Sequence, residues 1–373
     1  MTGFEADSRH MRAALDLARR GLGSVWPNPA VGCVIVRDDR VLGRGWTQPG
    51  GRPHAEAQAI ARASCPLTGA TAYVSLEPCS HFGKTPPCAD ALIASGVARV
   101  VVAASDPDPR VSGRGLARLK EAGIEVVFGV REAEALALNA GFFMRVTAGR
   151  PLVTLKLAST LDGRIATASG ESRWITGPAA RARGHALRAD HDAVMVGSNT
   201  VLVDDPLLTC RIPGLEHRSP VRIVIDGRLR TPLTSALVVD ARNFPVWIVT
   251  AAHGDGGRGD AARAEVFRSC GVEIIEVPAE GGVVDLAAAL VELGRRGLTR
   301  LLVEGGAALA AALLGARLVD RLAWFRAGRI IGGDGIPAIA GFGLENLGEA
   351  PAFQRMSVEE VGEDLLETFE RRD

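Results

Sequence analysis

The sequence has no excess of charge of either sign. Its 373 residues include 43 lysines and arginines and 43 aspartates and glutamates, so the formal net charge is zero. Proteins that bind a large polyanion normally present a basic face to it, and we therefore expect no nucleic-acid partner. A neutral chain can still hold a small phosphate in a local pocket of arginine side chains.

Long apolar runs are lacking as well. The longest uncharged run of small apolar residues, GGAALAAALLGA at 305–316, is shorter than the roughly 17–25 residues of a membrane span. The first twenty residues are charged and amphipathic, without the apolar centre of a signal peptide. The six cysteines are scattered, which is not typical of a disulfide framework. We therefore predict a cytoplasmic protein with no membrane partner.

The length and the hydrophobic pattern predict two α/β domains. A chain of 373 residues is too long for one ordinary core. Predicted strands alternate with helices of about ten residues, which is typical of layered α/β sheets. The pattern restarts with a fresh strand after Gly149-Arg150-Pro151. We place the two domains at 1–147 and 148–373. Alanine-rich helices and apolar strands leave room for a homo-oligomer, either a dimer or a tetramer.

Two segments of the first half indicate a catalytic zinc site. His54 and Glu56 stand at the head of a helix-like run in PHAEAQAI, and Cys79 and Cys88 follow in EPCSHFGKTPPC. A catalytic zinc ion takes three protein ligands and leaves one position for water. Cys79 ends a predicted strand, while His54 and Cys88 begin predicted helices, whose N-termini stabilise a thiolate. Glu56 is then free to carry a proton from the attacking water to a departing amine.

Other interpretations of these residues stay open. Eight residues separate the cysteines, whereas the short form of zinc nucleobase deaminases has two. Each residue alone is compatible with a stray histidine or a buried thiol, and only the combination favours a metal site. One alternative function is a deaminase of RNA or nucleoside bases with an accessory domain. Another is a zinc-stabilised, non-catalytic nucleotide-binding protein, which would need a fourth ligand and no proton carrier.

The second half contains a candidate phosphate site. In RLLVEGGAALAAALL an apolar strand runs into Gly305-Gly306 and an alanine-rich helix follows, so backbone amides and a helix N-terminus are available to a pyrophosphate. This signal is weak alone, because any strand–turn–helix unit resembles it. Three polar segments, LKLASTLDGRIATASGESRWITG, VGSNTVLVDDPLLTCR and VIDGRLRTP, also lie at or beyond the carboxyl ends of predicted strands, where α/β sheets bind ligands.

These segments resemble a known family. PNPAVGCVIV, HAEAQAI and EPCSHFGKTPPC are similar to the deaminase half of the bifunctional riboflavin-biosynthesis deaminase/reductase family, in which the longer insert between the cysteines is normal. LKLA, LDG and DDPLLT are similar to its reductase half. The resemblance implies a cytidine-deaminase-like α/β/α domain followed by a dihydrofolate-reductase-like α/β domain. It also implies deamination of a pyrimidine ribosyl phosphate and NADPH-dependent reduction of the ribosyl group to a ribityl chain.

The resemblance also assigns site residues. It implies Zn²⁺ bound by His54, Cys79 and Cys88, with Glu56 as the proton carrier. In the first half the implied substrate contacts are Asn28, His81 and Lys84. The implied NADPH contacts are Ala158, Trp174, Thr200, Asp204, Gly227, Gly306, Ala307, Ala308, Leu309, Ala310, Ala311 and Ala312. In the second half the implied substrate contacts are Lys156, Ser172, Arg188, Leu208, Arg211 and Glu304.

Overall fold

The chain consists of two compact units. A computed structural model describes residues 3–82, 86–109, 111–252 and 258–372. The first unit lies within Met1–Gly149 and the second within Arg150–Asp373. In the described part of the chain, no helix is long and apolar enough to span a membrane.

The first unit has one sheet with helices packed against it. Its described elements are α1 (Gly3–Arg19), β1 (Gly32–Arg37), β2 (Arg40–Trp46), α2 (Ala55–Ala61), β3 (Thr71–Val74), α3 (Cys88–Ala94), β4 (Arg99–Val102), α4 (Arg114–Glu121), β5 (Glu125–Phe128) and α5 (Glu132–Ala148). The strand order is β2-β1-β3-β4-β5. β1 is antiparallel to β2 and β3, whereas β3, β4 and β5 are parallel. The carboxyl ends of β3 and β4 therefore lie at the same edge of the sheet.

β3 is shorter than the sequence predicts. The apolar pattern predicts a strand that continues to Cys79, but β3 ends at Val74, so this prediction is wrong. Pro78 has no N–H to donate to a strand ladder. The Glu77 side chain is turned toward the N-terminus of α4, where it accepts hydrogen bonds from backbone amides. Cys79 consequently lies in a loop beyond the end of the sheet.

The second unit has a larger sheet. Its described elements are β6 (Leu152–Thr160), β7 (Arg164–Ala166), α6 (Pro178–Ala189), β8 (Ala193–Gly197), α7 (Ser198–Asp204), β9 (Val221–Ile225), α8 (Ala236–Val239), β10 (Val246–Ala251), α9 (Arg258–Ser269), β11 (Val272–Val277), β12 (Ala279–Glu280), β13 (Val283–Val284), α10 (Leu286–Arg295), β14 (Arg300–Val303), α11 (Ala307–Gly315), β15 (Arg321–Ala327), β16 (Ile336–Pro337), β17 (Phe353–Val361) and β18 (Asp364–Arg371).

The strand order of this sheet brings distant segments together. It runs β11-β10-β9-β8-β14-β6-β15-β18-β17. The pairs from β11 to β15 are parallel, and β18 is antiparallel to both β15 and β17. The central strands are buried along their length, as β14 shows, because helices cover both faces of a parallel sheet. The segments that follow β6, β8, β9 and β14 therefore meet at one edge.

Candidate functional site

The sequence-predicted zinc ligands meet in the first unit. His54 immediately precedes α2, Cys88 is the first residue of α3, and Cys79 lies in the loop after β3. The His54 Nδ1 atom is 3.3 Å from Cys88 Sγ and 3.7 Å from Cys79 Sγ. The three potential ligand atoms all lie within 4.8 Å of one another. Two helix N-termini and one loop thus converge on a single point.

These separations fit a tetrahedral zinc ion. Zinc bonds of about 2.0–2.1 Å to nitrogen and about 2.3 Å to sulfur place neighbouring ligand atoms roughly 3.5–3.8 Å apart. The distances from His54 Nδ1 to the two sulfur atoms lie at or near this range. One imidazole and two sulfur ligands leave a fourth position for water, as in catalytic rather than structural sites.

The N-terminus of α3 prepares Cys79 for metal binding. Considering the protein groups alone, hydrogen bonding from Cys88 lowers the pKa of the Cys79 thiol to about 4, against the effect of burial and with help from His54. The Cys88 amide donates to Cys79 Sγ over 3.3 Å, and the Ala89 amide donates to the Cys79 carbonyl. The interaction with Cys79 and burial raise the pKa of Cys88. Cys79 is therefore the more easily deprotonated of the two thiols, and a bound cation would displace the proton of Cys88.

Glu56 lies beside the three predicted zinc ligands and is not one of them. It occupies the first turn of α2 and is 3% exposed. Burial raises the pKa of this carboxyl group to about 6, although the neighbouring His54 lowers it. A carboxyl group with such a pKa can accept and release a proton near neutral pH.

A cavity beside these residues is lined by two of the implied substrate contacts. Asn28 and His81 line it together with His54, Glu56 and Cys79. His81 Nδ1 is buried and has no hydrogen-bond partner among the described residues, so it is available to a ligand. Lys84, the third implied substrate contact of this half, lies outside the described residues.

Several residues of this cavity were not predicted from the sequence. Arg52, Phe142 and Arg145 also line it. Asn139, on α5, is 2% exposed and forms two hydrogen bonds with the backbone of Ala30, at 2.9 and 3.0 Å. It thereby fixes the loop that carries Asn28. A lone asparagine in the apolar stretch of α5 is the signal that could have identified it.

In the second unit, three implied substrate contacts form one charged cluster. The Arg188 guanidinium donates to both carboxylate oxygens of Glu304, over 2.5 and 3.0 Å. Lys156 Nζ lies 3.7 Å from the same carboxylate. Burial raises the pKa of Glu304, but the positive charges of Arg188 and Lys156 outweigh it and lower the pKa to about 2. Glu304 is therefore ionised throughout the physiological range.

The loop after α7 extends this cluster. Arg188 also donates to the Thr209 carbonyl over 2.8 Å. Leu208 is buried beside it in the chain, and the Arg211 amide donates to His185 Nδ1 over 3.3 Å. Ser172 lies between β7 and α6, and among the described residues no hydrogen bond or ion pair joins it to the cluster. The structure thus brings most of the implied substrate contacts of this half to one place.

The implied NADPH contacts lie at the carboxyl edge of the second sheet. Thr200, on α7, lies against the turn formed by Gly305 and Gly306. Gly227 follows β9, where a Cβ atom would come within 2.2 Å of the Gly282 carbonyl oxygen, so only glycine fits. Ala158 is in β6, which neighbours β14.

Two implied NADPH contacts are linked through one arginine. Trp174 is 59% exposed, and the guanidinium groups of Arg173 and Arg181 lie over its ring, Arg181 at 4.6 Å from the ring centre. Arg173 also donates to the Asp204 carbonyl over 3.4 Å. An exposed tryptophan ring is available to stack on a planar ligand.

The helix after Gly306 can contact a cofactor through its first turn, because most of its middle residues are buried. α11 begins at Ala307, and its first turn has backbone amides without partners in the helix, which suit a phosphate. Leu309, Ala310 and Ala311 are buried in the core. Contacts from this segment to a cofactor would therefore come from the backbone near Gly306, with Ala308 and Ala312 exposed at the surface.

Comparison with protein families identifies both halves. Residues 4–104 match the cytidine and deoxycytidylate deaminase zinc-binding region, and residues 151–366 match the RibD C-terminal domain. The predicted pairing of a cytidine-deaminase-like domain with a dihydrofolate-reductase-like domain is confirmed. The predicted cofactors, zinc and NADPH, are confirmed as well. A deaminase of RNA and a non-catalytic scaffold are not favoured.

Full-length relatives agree with these matches. The riboflavin biosynthesis protein RibD of Escherichia coli K12 is 44% identical over 96% of this chain and 98% of its own length. RibD of Actinobacillus pleuropneumoniae is 43% identical over 96% and 94%. The structure of Acinetobacter baumannii RibD is 36% identical, with a TM-score of 0.88, and covers 99% of this chain and 100% of that one. The chain thus belongs to the RibD family, the bifunctional deaminase and reductase enzymes of riboflavin biosynthesis.

Proposed function

We propose that residues 1–147 deaminate 2,5-diamino-6-(5-phosphoribosylamino)pyrimidin-4-one and that residues 148–373 reduce the product with NADPH. Water replaces the exocyclic amine, which leaves as ammonia, and hydride addition then opens the ribosyl group to a ribityl chain. The convergence of His54, Cys79 and Cys88 beneath the buried Glu56 is the observation that carries this proposal. The structure of a diaminohydroxyphosphoribosylaminopyrimidine deaminase/5-amino-6-(5-phosphoribosylamino)uracil reductase from Thermotoga maritima, 35% identical over the whole chain, supports this proposal.

In the first domain, we assign one role to each group. His54, Cys79 and Cys88 would hold a zinc ion, which would supply an activated water for attack on the pyrimidine carbon. Glu56 takes a proton from that water and delivers it to the departing amine, a task that suits its raised pKa. Asn28 and His81, on the cavity wall, hold the substrate in place.

In the second domain, we assign the charged cluster to the sugar end of the substrate. NADPH supplies the hydride, and the protein orients it and holds the phosphate. Arg188 is engaged by Glu304 and the Thr209 carbonyl, so it fixes the Glu304 carboxylate. Lys156, the second cation beside that carboxylate, would then face the sugar near C1′.

A coupled assay tests the order of the two reactions. The zinc-replete protein is mixed with the diamino-pyrimidinone ribosyl phosphate and NADPH, while ammonia and cofactor absorbance are followed. We expect ammonia to appear first and NADPH to be consumed only afterwards, because the second domain acts on the deaminated product. NADPH consumption without ammonia release would contradict this sequence of reactions. The deaminated compound, supplied directly, serves as the control and should be reduced without a lag.

We also propose that the enzyme is a cytoplasmic homodimer. β17 is an edge strand of the second sheet, and its Met356 and Val358 are 56% and 51% exposed. An exposed edge strand with apolar side chains can pair with a second copy. Free thiols at all six cysteines favour a reducing compartment. Recovery of the active enzyme outside the cytoplasmic fraction would contradict this location.

Sedimentation velocity tests the proposed dimer. Wild-type protein is expected to sediment as a dimer, and the double variant Met356→Lys/Val358→Lys as a monomer, because charge on an edge strand opposes pairing. Val41→Lys, at an exposed apolar residue of the first unit, is the control and should leave the sedimentation coefficient unchanged. A double variant that still sediments as a dimer would show that the subunits associate elsewhere.

A further inference from the structure

Glu77 connects the cysteine loop to a helix far along the chain. Its side chain is 4% exposed. One carboxylate oxygen accepts a hydrogen bond from the Gly113 amide over 3.0 Å. The other accepts from the amides of Gly115 and Leu116, over 3.0 and 3.4 Å. These amides belong to the N-terminus of α4, where a carboxylate is favoured by the helix dipole and by the free N–H groups.

A second contact closes the same junction. A Cβ atom on Gly115 would lie 2.0 Å from the Pro78 carbonyl oxygen, so α4 approaches the loop at van der Waals distance. On the other side, the Glu77 amide donates to the Ala104 carbonyl over 2.9 Å. The backbone of Glu77 and Pro78, which leads into Cys79, is therefore held on one side by α4 and on the other by Ala104, which follows β4.

We propose that Glu77 is a positioning residue for the zinc site. By binding the N-terminus of α4, Glu77 fixes the position of Cys79 Sγ, two residues further along the chain. It also holds in place the loop before α4, whose residues Asp106, Asp108 and Val111 line the same cavity. Metal ligands act within tolerances of about 0.5 Å, and groups that orient them typically change metal affinity by about 10–100-fold. This inference rests on the ligand set proposed above.

Two variants disturb the junction from opposite sides. In Glu77→Gln, an NH2 group replaces one of the two carboxylate oxygens and faces a backbone N–H that had donated a hydrogen bond to that oxygen. In Gly115→Ala, the added methyl group pushes against the Pro78 carbonyl. We expect each to lower zinc affinity about 10–100-fold in a chelator competition on the full chain. Deamination should fall in kcat at saturating zinc, while NADPH-dependent reduction of the deaminated compound stays unchanged.

A control variant at the far end of α4 separates positioning from general stability. Gly123 has a φ of +80° and no heavy atom within 4 Å of a built Cβ. Gly123→Ala therefore strains the end of the helix and lowers the melting temperature without touching the cysteine loop. We expect wild-type zinc affinity and wild-type kcat from it.

The outcomes distinguish this inference from the ligand assignment. Cys88→Ser tests the ligands, and unchanged zinc affinity in that variant would overturn the proposed site itself. If Cys88→Ser loses zinc but Glu77→Gln and Gly115→Ala bind it as tightly as wild type, the positioning role is wrong. Equal losses of affinity in Gly123→Ala would also overturn it. The visible spectrum of the cobalt-substituted protein gives a second measurement, and a shifted spectrum in either junction variant supports displaced sulfur ligation.

Discussion

Replacing Glu56 by glutamine is expected to slow ammonia release by about 10²–10⁴-fold, the usual contribution of a general acid–base group. Glutamine has nearly the same shape but cannot carry the proton. Zinc content should stay at the wild-type level, because the three ligands of the proposed site do not include Glu56. Ammonia release and elemental analysis of the same preparation provide the two measurements.

Controls for Glu56 use the second domain and a matched glutamate. Glu56→Gln should reduce the deaminated compound with NADPH as fast as wild type does. Glu125→Gln changes a glutamate that is 65% exposed and pairs with Arg99, and it should leave both activities unchanged. If Glu56→Gln lost its zinc and unfolded, the carboxylate would be part of the structure rather than the proton carrier.

Replacing Arg188 by alanine is expected to have the largest effect on the second domain. It leaves the Glu304 carboxylate, 8% exposed, without its two hydrogen bonds from the guanidinium group. Removing one partner of a buried ion pair typically costs about 3–5 kcal/mol. Hydrogen exchange of β14, which directly precedes Glu304, measures the local loss of stability. Reduction of the deaminated compound should fall with it, while ammonia release should persist.

The effect of Arg188→Ala should depend on pH in a defined direction. The pKa of Glu304 is about 2 in the folded protein, below the ordinary value of 4.5, so its contribution to stability is complete above about pH 4.5 and is lost as the pH falls toward 2. Without Arg188 the carboxyl group can be protonated at a higher pH, and the difference from wild type should shrink as the solution is acidified. An equal difference at pH 7 and pH 4 would contradict the ion-pair explanation.

Arg295→Ala is the matched control for this prediction. Arg295 also pairs with a glutamate, Glu292, but its side chain is 73% exposed. Solvent screens such pairs, so this variant should change neither the exchange of β14 nor the reductase activity.

The clustering of His54, Cys79 and Cys88 was predictable because its signals are local. His54 and Cys88 each follow a proline at the start of a predicted helix, and the structure places His54 immediately before α2 and Cys88 as the first residue of α3. Helix and strand positions in the second unit follow from the same periodicity. The sequence predicts a helix at 178–189 and strands at 193–197 and 300–303, where the structure has α6, β8 and β14.

Features that depend on distant partners could not be predicted. Glu77 accepts hydrogen bonds from amides 36–39 positions away, and Asn139 binds a backbone 109 positions away. The ion pair of Arg188 with Glu304 spans 116 positions. The two-residue strands β12 and β13 were missed as well, because two residues cannot display a period.

The place of β18 in the second sheet has a consequence for biosynthesis. Residues Asp364–Arg371 pair on one side with β15 and on the other with β17. The nine-stranded sheet therefore cannot be completed until these residues have emerged from the ribosome. The first unit has all its strands by Phe128 and can fold while translation continues. Until β18 has emerged, the edge of β15 is uncovered in the nascent second unit, and an uncovered strand edge can pair with another chain.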